Sequence, residues 1–193
     1  ADGYSVNFNG IDNFVGGSGN DTFIFDTHGL VTGKVDGGGQ IDRDVVDASR
    51  SSIDIHLWNG DGHGFDNIEH FIGNSKTTTF YGNNINNRWN LEGTNAGTIN
   101  GISFTGMPNI VGGNQTDVFN LSGASIEGSI RGRQGSDEFY IVSSSVAKGI
   151  YGDEGNDVFN ITINNENSRF SLYGGEGTNQ LNIKGGNQTA VVD

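Results

Sequence analysis

The sequence predicts an all-β chain, a right-handed parallel β-helix or β-roll whose solenoid coils take about 20 residues each. Three observations carry that prediction. Glycine supplies 33 of 193 residues, more than twice its usual share of about 7%, with one proline and no collagen-like period of three. Ile and Val total 31 against six Leu, and β-branched residues favour strands where leucine favours helices. Third, one phrase recurs: a glycine-rich turn, then Asn or Asp, then an apolar-polar-apolar triplet. A fixed turn followed by a fixed strand is how a solenoid is written, because each unit buries its apolar face only against its neighbours.

The first copy runs from Val15 to Phe25, as Val-Gly-Gly-Ser-Gly-Asn-Asp-Thr-Phe-Ile-Phe, and a looser one surrounds Asp42 or Asp44. Aligned on their Asn/Asp position, the clear copies fall at Asp21, Asn87, Asp117, Asp137, Asp157 and Asn179, with steps of 20, 20 and 22 residues from Asp117 onward. The triplets Trp89-Asn90-Leu91, Phe119-Asn120-Leu121, Phe139-Tyr140-Ile141, Phe159-Asn160-Ile161 and Leu181-Asn182-Ile183 alternate with period two. Strand geometry sends their first and third residues inward and the middle one outward. Asn90, Asn120, Asn160 and Asn182 are therefore expected on one outer face.

A longer repeat overlies the first. Phe8 to Gly16 returns as Phe65 to Gly73 and as Phe104 to Gly112, the first and third copies 96 residues apart, each with a further Phe 15 residues after its first. The expected organisation is one continuous solenoid over 1–193, with approximate internal units 1–95 and 96–193. The chain opens mid-pattern, and Gly185-Gly186-Asn187-Gln188 looks like the start of another turn. We therefore expect an excised fragment whose isolated form associates end to end.

Composition excludes several functions. The net charge of −13 repels nucleic acid and anionic membrane. No cysteine is present, hence no disulfide framework, zinc-thiolate site or thiol nucleophile. No apolar run approaches the roughly 20 residues of a membrane helix, so no membrane insertion is expected. Leu, Ile, Val and Phe make up 49 residues, about a quarter, above the roughly 20% that marks disorder at high charge. The chain should fold around a thin core.

These residues resemble the RTX (repeats-in-toxin) glycine-rich repeat, Gly-Gly-x-Gly-x-Asp-x-apolar-x, which Gly16 to Ile24 matches at every fixed position. The middle of the chain is similar to the long β-strand-repeat regions of giant bacterial RTX adhesins and exoproteins. The segments that carry this likeness are Asp44-Val45-Val46-Asp47-Ala48-Ser49, Ile53 to Leu57, Asn67-Ile68-Glu69-His70-Phe71-Ile72-Gly73 and Asn83 to Asn87. The resemblance implies an extracellular, cell-surface, non-enzymatic module. It would act as a spacer or adhesion segment beside neighbouring repeats of the same chain, with a cell-surface or polysaccharide ligand. It also implies Ca²⁺ held between stacked turns. Carried over residue by residue, the ligands are Asp21, Asp117, Asp137 and Asp157, with Asp42 or Asp44 next, and Asp153, Glu154 and Asp157 form a second acidic cluster. Most steps here are near 20 where strong RTX sites repeat every nine, and Asn179, Asn87 and Thr78 stand where Asp would. The alternative is that Asp or Asn hydrogen-bonds its own turn, as both readily do.

Other constellations point to structure before chemistry. His28, His56, His63 and His70 lack the helical spacing of a zinc protease and read as surface or turn residues. Carboxylate pairs such as Asp42 and Asp44 could serve a glycosidase only in a cleft that raises one pKa, and glycine-turn carboxylates are expected to be solvated. Trp89, Tyr81, Tyr151 and Tyr173 occupy repeat positions and are expected in the core, leaving Trp58 as the candidate for a ligand contact. From a different class, an accessory domain of a secreted carbohydrate-active enzyme or protease would carry the same repeats.

Overall fold

The computed structural model describes residues 10–27, 33–39, 43–57, 64–164 and 168–185. Among them every regular element is a strand. In chain order these are Phe14–Val15 (β1), Thr22–Ile24 (β2), Lys34–Asp36 (β3), Val45–Asp47 (β4), Ile55–His56 (β5), Gly64–Asp66 (β6), His70–Ile72 (β7), Thr79–Tyr81 (β8), Arg88–Thr94 (β9) and Gly97–Ile99 (β10). The second half adds Ile102–Thr105 (β11), Asn109–Val111 (β12), Val118–Ile126 (β13), Ile130–Gln134 (β14), Glu138–Val142 (β15), Ser145–Val146 (β16), Ile150–Glu154 (β17), Val158–Thr162 (β18), Leu172–Glu176 (β19) and Gln180–Lys184 (β20).

The strands stack into the walls of a parallel β-solenoid. The long wall runs β2-β4-β7-β11-β10-β9-β13-β15-β18-β20, the second wall β5-β8-β12-β14-β17-β19, and a short third wall β1-β3-β6. Pairing is parallel throughout except at β10, which lies antiparallel to both β9 and β11.

Period-two alternation builds the core. On the long wall Trp89, Phe119, Phe139, Phe159 and Leu181 share one inward column, and Leu91, Leu121, Ile141, Ile161 and Ile183 the next. Because parallel in-register rungs are about 4.8 Å apart, identical rings stack face to face. Phe119 lies 4.8 Å from Phe139, and Phe139 4.9 Å from Phe159, with ring planes within 7° of parallel. The second wall contributes Ile55, Phe80, Ile110, Ile130 and Ile150, all buried. Asn90, Asn120, Asn160 and Asn182 occupy one outward column as expected, interrupted by Tyr140. Asn120 donates to Asn90 at 3.0 Å and Asn182 to Asn160 at 2.9 Å.

Two expectations change. Tyr81, Tyr151 and Tyr173 follow the inward residue of their strands and so point outward, in one column with His56 and Arg131. His56 stacks on Tyr81 at 4.0 Å and Tyr151 on Tyr173 at 4.5 Å. Of the four aromatics assigned to the core, only Trp89 is buried. The second and third copies of the longer repeat are also not equivalent in space: Phe65 lies in β6 of the short wall, whereas Phe104 lies in β11 and pairs with Phe71. The glycine corner serves more than one edge of the coil. It leads from the short wall into the long one at Gly16, from the long into the second at Gly73, and from the second back into the long at Gly82 and every later copy. The antiparallel β9-β10-β11 meander follows the first corner of that last kind.

Candidate functional site

The Asn/Asp of each glycine corner points into the solenoid and joins it to the rung before. Asp117 N–H donates to Asp137 Oδ1 at 2.7 Å, Asp137 N–H to Asp157 Oδ1 at 2.9 Å, and Asp157 N–H to Asn179 Oδ1 at 2.9 Å. Asn87 N–H enters the same ladder through Asp117 Oδ1 at 2.7 Å. A second stretch of ladder runs in the first half, where Asp21 N–H donates to Asp44 Oδ1 at 2.7 Å and Asp44 N–H to Glu69 Oε2 at 2.8 Å. Each rung's carbonyl also accepts from the residue after the next rung's Asx, as Asp117 does from Glu138 N–H and Asp137 from Val158 N–H. Two hydrogen bonds per corner thus bind successive rungs.

The recurring glycine has a steric cause. Five residues before Asp21, Asn87, Asp117, Asp137, Asp157 and Asn179, and seven before Asp44, a glycine Cα lies against the side chain. A Cβ at Gly112 would sit 2.3 Å from Asp117 Oδ2, at Gly132 2.1 Å from Asp137 Oδ2, and at Gly152 2.0 Å from Asp157 Oδ2. No side chain fits such a gap. The Gly-x-x-x-x-Asx spacing was visible in the sequence and is the signal that marks the ladder. Glu69 carried no such signal: its corner is shorter, and the extra methylene of Glu completes the reach from a different register.

Asp44, Asp117, Asp137 and Asp157 are fully buried, which corrects the expectation of solvated turns. Burial pushes Asp137 up to about 7, helped by repulsion from Asp117, Asp157 and Asp153 and opposed by the Asp117 N–H. Burial also raises Asp117, against donors from Gly113 and Asn87, and it raises Asp157. The Oδ2 atoms of Asp44, Asp137 and Asp157 are buried without a donor, whereas those of Asp21 and Asp117 accept from Gly17 and Gly113 N–H at 2.7 and 2.6 Å.

Of the residues that the resemblance marks for Ca²⁺, Asp21, Asp44, Asp117, Asp137 and Asp157 belong to this ladder, and Asp42 lies outside the described residues. Ca²⁺ takes six to eight oxygens. Here the Oδ1 atoms of Asp44, Asp117, Asp137 and Asp157 each accept from an amide hydrogen, and the Oδ2 atom of each ladder Asp packs on a glycine Cα. Among the described residues no group of three or more His, Asp or Glu converges as a metal site. Asp153, Glu154 and Asp157 separate: Asp153 is ion-paired with Arg131, Glu154 accepts from Gln134 at 3.1 Å, and Asp157 points inward. Of the histidines, His56 is in its ring stack and His70 Nδ1 meets Ser103 Oγ at 2.7 Å. His28, His63 and Trp58 lie outside the described residues.

Fold and corners together define a parallel β-solenoid with an internal Asx ladder. No protein-family model, curated protein or solved structure matches the chain.

Proposed function

We propose that this chain is a non-enzymatic structural module, a spacer and adhesion segment of a large extracellular bacterial repeat protein of the RTX type. One observation supports the reading above the others. The side chains with the most unusual chemistry, the buried carboxylates, are engaged in joining rung to rung. Ten of the eleven strands of the long wall lie in one line, β16 pairing beside β13, and at about 4.8 Å each they give a wall about 45 Å long held by ladder bonds at its corners, which suits a part that bears load. Stretching single molecules of a tandem of this chain tests it. A spacer should resist extension and yield rung by rung, and a tandem that lengthens without measurable force overturns the proposal. Calcium, implied by the resemblance, is a stiffening ion in this reading. A melting temperature that rises at millimolar Ca²⁺ and returns with chelator assigns it that part, since a ligand that binds only the folded state stabilises it. An unchanged melting temperature removes calcium and leaves the ladder as the source of stiffness.

A further inference from the structure

A cavity of about 570 Å³ opens on the outer face of the second wall, over β14, β17 and β19. Its size falls within the range of about 300 to 1,000 Å³ that small-ligand sites occupy. The loop after β12 adds Asn114 to the lining. The strands β14 and β17, which supply most of it, stand between β12 and β19 in the body of the wall.

One column of this lining is held in a backbone that glycine alone takes freely. Register places Arg133 beside Asp153 and Asp153 beside Gly175, and all three are left-handed, with φ of 80°, 75° and 91°. Gly175 shows what the fold itself asks for there, since an L side chain is strained in that region. Strained residues persist where the surroundings or the function hold them. For Asp153 the use lies within the chain, in its two-pronged pair with the Arg131 guanidinium. The Arg133 guanidinium lines the same cavity and has no hydrogen bond or ion pair with any described residue.

The rest of the lining calls for hydroxyl donors. Asn114 Oδ1 is buried without a donor. Glu154 accepts from Gln134 at 3.1 Å, and a carboxylate has places for about four such bonds. Glu176 stands beside Glu154 on the next rung. A forked cation among unfilled acceptors matches a ligand with one carboxylate and several O–H groups. Arginine takes a carboxylate in two parallel bonds, and the hydroxyls bring the donors that the acceptors lack. A polyanion matches poorly, because a chain of net charge −13 repels it.

We propose that this cavity binds an acidic sugar, a glycan residue that carries one carboxylate among its hydroxyls. Arg133 takes the carboxylate, while Asn114, Glu154 and Glu176 accept from the hydroxyls. The inference rests on the adhesion half of the function proposed above and gives it a ligand class. Its failure leaves the spacer half to the stretching experiment.

Calorimetric titration of the whole chain with sialyllactose, glucuronic acid and uncharged lactose tests it. At least one of the two acids should bind at millimolar concentration, and lactose about tenfold more weakly or not at all. Tighter binding of sialyllactose identifies the end of a glycan as the source, and equal binding identifies the sugar acid itself. Arg133→Asn should weaken the acid about tenfold or more with no fall in melting temperature, because Asn already stands left-handed at Asn67, Asn95 and Asn100. Arg133→Gly, which installs the residue found at Gly175, repeats the test should the Asn variant fail to fold. Lys76→Asn removes the same charge from an exposed loop and should bind as the wild type does. The proposal is overturned if neither acid binds at millimolar concentration, or if both Arg133 variants bind as the wild type does. A triglutamate peptide that competes as well as the sugar acid also overturns it, since charge alone would then be read.

Discussion

The corners at Asp117 and Asp137 share their glycine spacing, burial and ladder bond, yet their carboxylates live differently. The cause lies four residues earlier. At the first corner Gly113 turns its N–H onto Asp117 Oδ2. At the second, Arg133 adopts a left-handed backbone with φ of 80° and extends β14 to pair with β17. Asp137 Oδ2 is left buried without a donor. A lone acceptor in low dielectric favours the protonated acid, so Asp137 is raised to about 7. The ladder bond sets where the carboxylate sits, and the residue after the glycine sets its charge.

The largest effect should come from the feature the two corners share. Gly152→Ala would place a methyl 2.0 Å from Asp157 Oδ2 and 2.5 Å from the Gly174 carbonyl, and neither rung can retreat without breaking its neighbours. Overpacking of this kind costs about 3 kcal/mol. Gly17, where a Cβ meets nothing within 4 Å and φ is not left-handed, is the control: Gly17→Ala should change stability by at most about 0.5 kcal/mol. Urea midpoints of the two variants check the contrast, and equal midpoints would break the steric account of the phrase.

The next effect separates the corners. Asp137→Asn keeps an oxygen for the Asp117 N–H and supplies an amide that can reach the carbonyl four residues back, as Asn87 Nδ2 reaches the Asn83 carbonyl at 2.7 Å. At pH 8 the substitution should stabilise by about 1 kcal/mol. The pH dependence has a definite sign. Asp137 is raised in the folded state, so its protonated form contributes stability that is fully present below about 4. That contribution is lost as pH rises to about 7, because the unfolded chain releases the proton first. Wild-type melting temperature should therefore fall relative to Asp137→Asn between pH 4 and 7 and run parallel to it above 7. Parallel curves throughout would mean that Asp137 titrates normally.

The two halves of the chain were not equally legible. From Asp117 onward strand alternation, outward Asn column and 20-residue period were readable, because each coil repeats the same corner on the same edge. Before it, one local phrase serves several edges of the coil, and sequence likeness between Phe65–Gly73 and Phe104–Gly112 reported a shared corner where it looked like a shared position. The candidate site was legible as a set of residues but not as an environment. Asp117, Asp137 and Asp157 were singled out by the phrase, while their inward direction follows from the glycine five residues before, whose missing Cβ makes room for the carboxylate. Tyr151 and Tyr173 misled for a simpler reason: a stack of rings on the outer face has the same spacing as a core column.

The smallest effect probes how far the outer face reaches the ladder. Arg131 forms a two-pronged ion pair with Asp153 and lies 4.6 Å from the centre of the Tyr151 ring, with its side chain 45% exposed. Exposed pairs of this kind contribute at most about 1 kcal/mol, so Arg131→Ala should lower stability by about 0.5 kcal/mol. Its second consequence is more telling. Asp153 repels charge on both Asp137 and Asp157, and its guanidinium partner offsets that charge. Without Arg131 the repulsion grows, and Asp137 should hold its proton to higher pH than in the wild type. Carboxyl carbon shifts followed by NMR across the titration would show this directly. An unmoved midpoint would mean that the corner alone governs the acid, and that Arg133, by withholding its N–H, does so without help from the surface.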